Sequence, residues 1–154
     1  MASSRGIGFA VMEGKHILVD WGLKTVDGNK NARLLSKVAN LIKHYKPDAI
    51  VLENTHLKKS RRGLRVQALT QEIVALAQNE KINVKRFSRK QLNLAFVADR
   101  PGTKHALAEY FASRFPQELG LHLPRKRRSY DNEDCRMDIF DAVALAEHFL
   151  RGRE

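Results

Sequence analysis

The order of hydrophobic patterns along the chain constrains its fold more than any other feature. Residues 7–12 form a short apolar run, residues 13–15 (Glu-Gly-Lys) are typical of a hairpin turn, and residues 16–21 alternate loosely as a second strand. Apolar residues then recur at helical spacing over residues 31–45. The nearly all-apolar stretch 48–53 predicts a strand that is buried on both faces.

The second half of the sequence alternates between helical and strand patterns. A helix with an apolar stripe over residues 66–77 precedes a strand at 82–87, and residues 88–91 fit a capping box that opens a short helix. A long helix is expected at 103–115 and an apolar final helix at 134–150. Alternating strands and helices imply crossover connections, so we predict an α/β fold. Its mixed sheet would have an antiparallel early hairpin, parallel later strands and helices on both faces.

Length and composition exclude several classes of protein. The chain has 154 residues, which suits one domain spanning 1–154. No apolar run approaches the roughly 20 residues that a transmembrane helix needs, and no secretory signal is recognisable. The single cysteine cannot form an internal disulfide, which favours a cytoplasmic location.

Positive charge is concentrated in two short stretches. The chain has 28 Lys and Arg against 17 Asp and Glu, and a basic excess of this size attracts polyanions such as nucleic acids. Both stretches have Gly, Ser or Pro nearby, so we expect loops or loop edges that bind phosphates, with a merely solvated loop as the alternative. Their residues are Lys58, Lys59, Arg61, Arg62 and Arg65 in the first stretch, and Arg125, Lys126, Arg127 and Arg128 in the second.

Three carboxylates are candidates for a metal site. Glu53 ends an apolar strand, at the edge where open α/β sheets place their sites, although a solvated strand end is the simpler interpretation by position alone. Asp138 and Asp141 lie three residues apart on an otherwise apolar helix, so they share one face and repel each other. A divalent cation such as Mg²⁺ would compensate that repulsion and could support phosphodiester hydrolysis. The residues therefore favour a metal-dependent nuclease.

The motifs and their order resemble those of the RuvC-like Holliday junction resolvases, in the ribonuclease H-like superfamily. Residues 4–11 are similar to the stretch that follows the first catalytic Asp of that family. Residues 47–53 are similar to its Pro-Asp, strand and catalytic Glu, and residues 138–146 to its closing Asp-x-x-Asp-Ala helix. Residues 84–88 and 103–104 fall where the family has a strand, a turn and a Lys-bearing helix start. The resemblance spans essentially the whole chain.

This resemblance implies a sheet with strand order 3-2-1-4-5 and cleavage of branched DNA, usually by a homodimer, with Mg²⁺ or Mn²⁺ as cofactor. Glu53, Asp138 and Asp141 would be catalytic metal ligands, and Lys104 would contact a phosphate near the site. In the family, a central strand that ends in Asp directly precedes the stretch that begins at Ser4. Here only Met1, Ala2 and Ser3 precede Ser4, and we expect the native chain to begin upstream. A shifted strand register and a degenerate, inactive relative are the alternatives.

Four functions are consistent with this sequence. The leading hypothesis is an endonuclease that cleaves branched DNA. The second is a catalytically inactive module of the same fold that binds nucleic acid, which the absence of the first Asp favours. A YqgF-like nuclease that processes ribosomal RNA shares the fold, and a sugar-kinase-like or actin-like ATPase shares its core. The last is disfavoured because no second phosphate-binding segment is found in the sequence.

Overall fold

A computed structural model describes residues 1–2, 6–27, 30–54, 61–99, 103–128 and 134–153, and the statements below concern these ranges. The strands are β1 (Ile7–Met12), β2 (Leu18–Lys24), β3 (Ala49–Glu53) and β4 (Asn83–Phe87). The helices are α1 (Lys30–Tyr45), α2 (Arg61–Asn79), α3 (Arg89–Phe96), α4 (Lys104–Arg114), α5 (Pro116–Leu119) and α6 (Met137–Arg151), with a short 3-10 helix at Gly120–His122. None of the helices in these ranges is long and apolar enough to cross a membrane.

The strands form two separate pairs. β1 and β2 are antiparallel, whereas β3 and β4 are parallel, with Glu53 opposite Phe87 at their carboxyl ends. The antiparallel hairpin and the later parallel strands confirm the predicted α/β class. β1 and β3 are not hydrogen-bonded to each other, so the described strands make two two-stranded sheets.

Side chains alternate between the two faces of a strand, and helices pack on both faces of β3. Ile50 and Leu52 of β3 pack with α1 and α2 in one hydrophobic cluster. Val51 packs on the other side, in the cluster that holds most of α4 and α6. Glu53 is two residues beyond Val51, so its side chain is directed to the α6 side of the sheet.

Strand β3 is less buried than its sequence predicts. The expectation of burial on both faces is wrong for most of the strand, because only Leu52 is buried, with 7% of its surface exposed. Ala49, Ile50 and Val51 are half-buried and line an open cavity beside β1. The apolar run was correctly read as a strand, but its edge away from β4 lacks a neighbouring strand in the described part of the chain.

The first basic stretch is partly helical, which corrects the expectation of a loop. Arg61, Arg62 and Arg65 belong to the first turns of α2, while Lys58 and Lys59 lie outside the described residues. Arg is a good helix former, so a local excess of charge does not by itself exclude a helix.

The start of the last helix also differs from the prediction. Asp134 precedes α6, which begins at Met137. Its carboxylate accepts hydrogen bonds from the backbone N–H and the guanidinium of Arg136, in the turn before the helix. The helix therefore begins three residues later than the predicted start at residue 134.

Candidate active site

Glu53 lies at the carboxyl end of β3, where the strand leaves the sheet. Its side chain is 10% exposed and faces α6, as the alternation along β3 requires. Burial raises the pKa of the Glu53 carboxyl, and the nearby charge of Asp141 raises it further, whereas Arg89 and Lys104 oppose the shift. Glu53 and Asp141 therefore belong to one electrostatic cluster, although 88 residues separate them in the sequence.

Asp138 and Asp141 are buried in the first two turns of α6, with 6% and 1% of their surfaces exposed. The helix approaches β1 very closely at this point. A Cβ atom on Gly8 would lie 2.4 Å from the backbone of Asp138, so only glycine fits there. This contact fixes the amino end of α6 against β1 and places both aspartates at the sheet. The amino group of Met1, which donates a hydrogen bond to the carbonyl oxygen of Gly8, interacts electrostatically with both aspartates and with Glu53.

Arg89 is the principal cation of the site. Its two terminal nitrogens bind the two carboxylate oxygens of Asp141 at 2.5 and 2.7 Å, and its Nε lies 3.5 Å from Oε1 of Glu53. Ser88 caps α3 with the expected capping box, which makes Arg89 the first residue of that helix. Because β4 runs parallel to β3, the residues that follow Phe87 lie beside the end of β3 and reach Glu53.

Lys104 contributes a second positive charge. Thr103 caps α4, so Lys104 is the first residue of α4, and its Nζ lies 3.9 Å from Oδ2 of Asp141. Unlike Arg89, its side chain is well exposed, at 39%. The structure thus brings four sequence-predicted site residues together, Lys104 with the three carboxylates.

The second basic stretch begins next to this cluster. Residues 125–128 are exposed and non-helical, as expected. The preceding residue, Pro124, is hydrogen-bonded through its carbonyl oxygen to Nε2 of His105, at 3.0 Å. His105 directly follows Lys104, so this bond connects the start of the stretch to the amino end of α4.

Sequence reasoning missed the role of Arg89. It identified the capping box at Ser88 but assigned no function to the residue that the cap positions. The signal was available, because parallel pairing places the turn after β4 beside the end of β3, where a carboxylate was already suspected. A basic residue at that turn is then expected to meet Glu53.

The donor chemistry of this cluster suits a divalent cation, since Mg²⁺ and Mn²⁺ prefer carboxylate oxygens. Within the described ranges, however, no three acidic, histidine or cysteine side chains are arranged to coordinate an ion. Arg89 binds both oxygens of Asp141 instead, so a metal ion at Asp141 requires Arg89 to move away.

Comparison with known proteins identifies the fold. No protein-family model and no curated protein matches the sequence. Among solved structures, the chain is similar to Thermus thermophilus RuvC in complex with a Holliday junction substrate, with 17% identity, a TM-score of 0.70, and 98% of this chain and 90% of that chain covered. A second Thermus thermophilus RuvC structure matches with 16% identity and a TM-score of 0.66, covering 95% of this chain and 87% of that chain. The yeast mitochondrial Holliday junction resolvase Ydc2 matches with 13% identity and a TM-score of 0.61, covering 98% and 80%. The chain therefore has the ribonuclease H-like fold of the RuvC Holliday junction resolvases.

Proposed function

We propose that this protein is a metal-dependent endonuclease that cleaves branched DNA. One observation carries the proposal: Glu53, Asp138 and Asp141 lie together where β3 ends and α6 begins, beside Lys104. The exposed basic residues 125–128 directly follow Pro124, which is hydrogen-bonded to His105, the residue after Lys104. Carboxylates that can hold divalent cations, next to charge that can bind phosphate, are the combination that metal-dependent phosphodiester hydrolysis uses. The structural similarity to a RuvC that was solved with a Holliday junction supports a junction as the substrate.

Each group of residues at the site would have its own role in cleavage. Glu53, Asp138 and Asp141 would hold Mg²⁺ or Mn²⁺. The cation would supply an activated water and stabilise the leaving oxygen. Lys104, which is exposed on one side of Asp141, would neutralise an oxygen of the scissile phosphate. Residues 125–128 would hold the flanking DNA backbone. Arg89 would leave Asp141 and pair with DNA phosphate when the substrate and the cation arrive.

A second function is favoured by a specific observation. Because Arg89 already neutralises Asp141, this carboxylate has a charge partner without a metal ion, and the chain could bind nucleic acid without cleaving it. The basic residues at 125–128 would serve that function equally well.

Cleavage of a labelled four-way DNA junction tests the two functions directly. With Mg²⁺ or Mn²⁺ we expect a product that the wild type forms and Asp141→Asn does not, while both bind the junction. Glu80→Gln is the matched control, since it removes an exposed carboxylate at the amino end of β4, opposite the site. Binding without any product would select the non-cleaving module. Equal cleavage by the wild type and Asp141→Asn would overturn the proposed site. Cleavage of structured RNA, and not of the junction, would identify a YqgF-like activity.

A further inference from the structure

The imidazole ring of His105 lies between two hydrogen-bond acceptors. Its Nδ1 is 2.9 Å from Oε1 of Glu109, one turn further along α4, and its Nε2 is 3.0 Å from the carbonyl oxygen of Pro124. The side chain of His105 is 17% exposed, so little of the ring is in contact with water. The ring therefore links α4 to the residue that directly precedes the basic residues 125–128.

Both contacts are hydrogen bonds only when the ring carries two protons. A carbonyl oxygen and an ionised carboxylate accept hydrogen bonds but cannot donate them, so each ring nitrogen has to supply an N–H. Neutral imidazole has one N–H, whereas imidazolium has two. In a neutral ring, one nitrogen therefore presents its lone pair to an oxygen, and that contact is repulsive.

A neutral ring should keep its contact with Glu109 and lose the one with Pro124. A charged acceptor forms the stronger hydrogen bond, so the single proton is expected on Nδ1, which faces the Glu109 carboxylate. Nε2 then presents its lone pair to the Pro124 carbonyl. The second proton on the ring therefore decides whether His105 binds Pro124.

Other charged groups surround α4. Beside the ring, Glu109 is negative, whereas Lys104 and Arg125 are positive. Among the described residues, Glu109 is the carboxylate within hydrogen-bond distance of the ring. Helices α3, α5 and α6 and the short 3-10 helix pack against α4. Their titratable side chains are Arg89, Lys90, Glu118, His122, Asp138, Asp141, Glu147, His148 and Arg151.

The contact with Pro124 sets the direction in which the basic residues leave the core. Leu123 packs against the hydrophobic cluster that holds most of α4 and α6, and Pro124 is buried, whereas residues 125–128 are exposed. The Pro124 carbonyl belongs to the peptide group that joins Pro124 to Arg125, and this group is planar and rigid. A hydrogen bond to that carbonyl therefore orients the first basic residue relative to α4.

We propose that doubly protonated His105 is a positioning residue for DNA binding. It holds the start of the basic stretch 125–128 at the amino end of α4, and junction affinity rises as the ring takes up its second proton. The proposal rests on the proposed function, because it takes branched DNA as the partner of these basic residues. Histidine is the side chain that ordinarily changes charge between pH 5 and 8, which sets the range of the measurement.

Junction binding at two pH values tests this proposal. The probe is a labelled four-way DNA junction, titrated at about pH 7.5 and about pH 5.5 at constant ionic strength and without divalent cations. We expect the affinity of the wild type to rise by about three- to tenfold more over this range than that of His105→Phe, which cannot bond to Pro124 at either pH. His44→Phe, at an exposed histidine in the last turn of α1, is the matched control and should keep the wild-type dependence on pH. Equal dependence on pH in the wild type and His105→Phe would overturn the proposal.

Glu109→Gln separates the titration of His105 from its contact with Pro124. The Gln amide can donate to Nδ1, so a neutral ring can use its one N–H on the Pro124 carbonyl. We therefore expect this variant to lose most of the wild-type dependence on pH. Removal of one negative charge shifts affinity for DNA equally at both pH values, so the difference between them is the readout. A dependence on pH as strong as that of the wild type would also overturn the proposal.

Backbone 15N relaxation of residues 126–128 gives a readout that does not require DNA. We expect their order parameters to increase from about pH 7.5 to about pH 5.5 in the wild type and to stay constant in His105→Phe. Constant order parameters in the wild type would overturn the role of His105. If the order parameters change as expected but the wild type binds no junction at either pH, the proposed function fails, and with it the choice of DNA as the partner.

Discussion

Arg89 clamps both carboxylate oxygens of Asp141, at 2.5 and 2.7 Å, across 52 residues of sequence. Asp141 is almost completely buried, with 2% of its side chain exposed, so its charge needs a partner inside the protein. A fork-shaped guanidinium matches a carboxylate better than an ammonium does, and Lys104 contacts Asp141 only at 3.9 Å. Arg89 is therefore the group that neutralises Asp141 in this structure.

Removal of Arg89 tests this assignment. We expect Arg89→Ala to lower the free energy of unfolding by about 3–5 kcal/mol at most, because a buried carboxylate loses its main partner while Lys104 retains some compensation. Mn²⁺ should raise the melting temperature of Arg89→Ala by more than it raises that of the wild type, since the ion no longer competes with the guanidinium. Thermal unfolding with and without Mn²⁺ measures both effects.

Lys90→Ala is the control for that measurement, because it removes a neighbouring positive charge whose side chain is exposed. It should unfold within about 0.5 kcal/mol of the wild type. An equal response of Lys90→Ala and Arg89→Ala to Mn²⁺ would show that general charge, and not the clamp on Asp141, controls metal binding.

A second ion-pair cluster stabilises the packing of α6 on α4. Glu147 is completely buried, and its two oxygens bind Arg114 at 2.7 Å and Arg151 at 2.9 Å. Glu147→Ala leaves two guanidinium groups without this partner, so we expect a loss of about 3–5 kcal/mol in urea unfolding. Glu72→Ala, on the exposed side of α2, should change stability by less than about 0.5 kcal/mol. Similar stabilities of the two variants would contradict a structural role for Glu147.

The exposed basic residues at 125–128 should contribute mainly electrostatic affinity for DNA. We expect replacement of all four by Gln to weaken junction binding and to flatten its salt dependence by about 0.9 in the log–log slope for each lost phosphate contact. Anisotropy titrations at several salt concentrations give that slope. The pair Lys43→Gln, in the last turn of α1, and Lys81→Gln, just before β4, removes two other exposed lysines as the control and should leave the slope nearly unchanged. A salt slope that is the same for both sets of variants would exclude these residues from the interface.

His148 makes stability depend on pH. Its ring packs edge-on against Phe87, with centroids 4.5 Å apart, and burial and the charge of Arg151 both lower the pKa of its imidazole below 6.5. The unfolded chain therefore binds the proton first as the pH falls. The stability contributed by neutral His148 is present above pH 6.5 and is lost as the pH falls below that value.

The variant His148→Phe keeps an aromatic ring at this position but cannot titrate. Between about pH 7.5 and 5.5, we expect the free energy of unfolding to fall more steeply with decreasing pH for the wild type than for His148→Phe. Parallel pH profiles of the two proteins would rule out His148 as the cause.

Local patterns in the sequence predict much of the fold. The apolar run at β1, the helical spacing of α1 and the capping box at Ser88 each depend on near neighbours, and each is found in the structure. The cavity beside β3 could not be predicted from the apolar run itself. Such a run indicates that both faces of the strand can be buried. It does not indicate whether another strand is hydrogen-bonded to each of its edges.

The three acids and Lys104 were expected at the candidate site from the sequence, but Arg89 was not. Glu53, Asp138 and Asp141 stand out because they interrupt apolar segments, whereas Arg89 lies in a polar turn and resembles any surface arginine. Only the parallel register of β3 and β4 reveals that Arg89 reaches Asp141. Parallel pairing alone predicts that Arg89 lies near Glu53, but its bond to both oxygens of Asp141 is seen only in the structure.

The most direct test of the account is a single-turnover cleavage of a labelled four-way junction, with Mn²⁺ titrated from zero, for the wild type and Glu53→Gln. The account predicts product that rises with Mn²⁺ for the wild type and is absent for Glu53→Gln at every concentration, with similar junction binding by both. Product that persists without any divalent cation, or that Glu53→Gln forms as fast as the wild type, would contradict it.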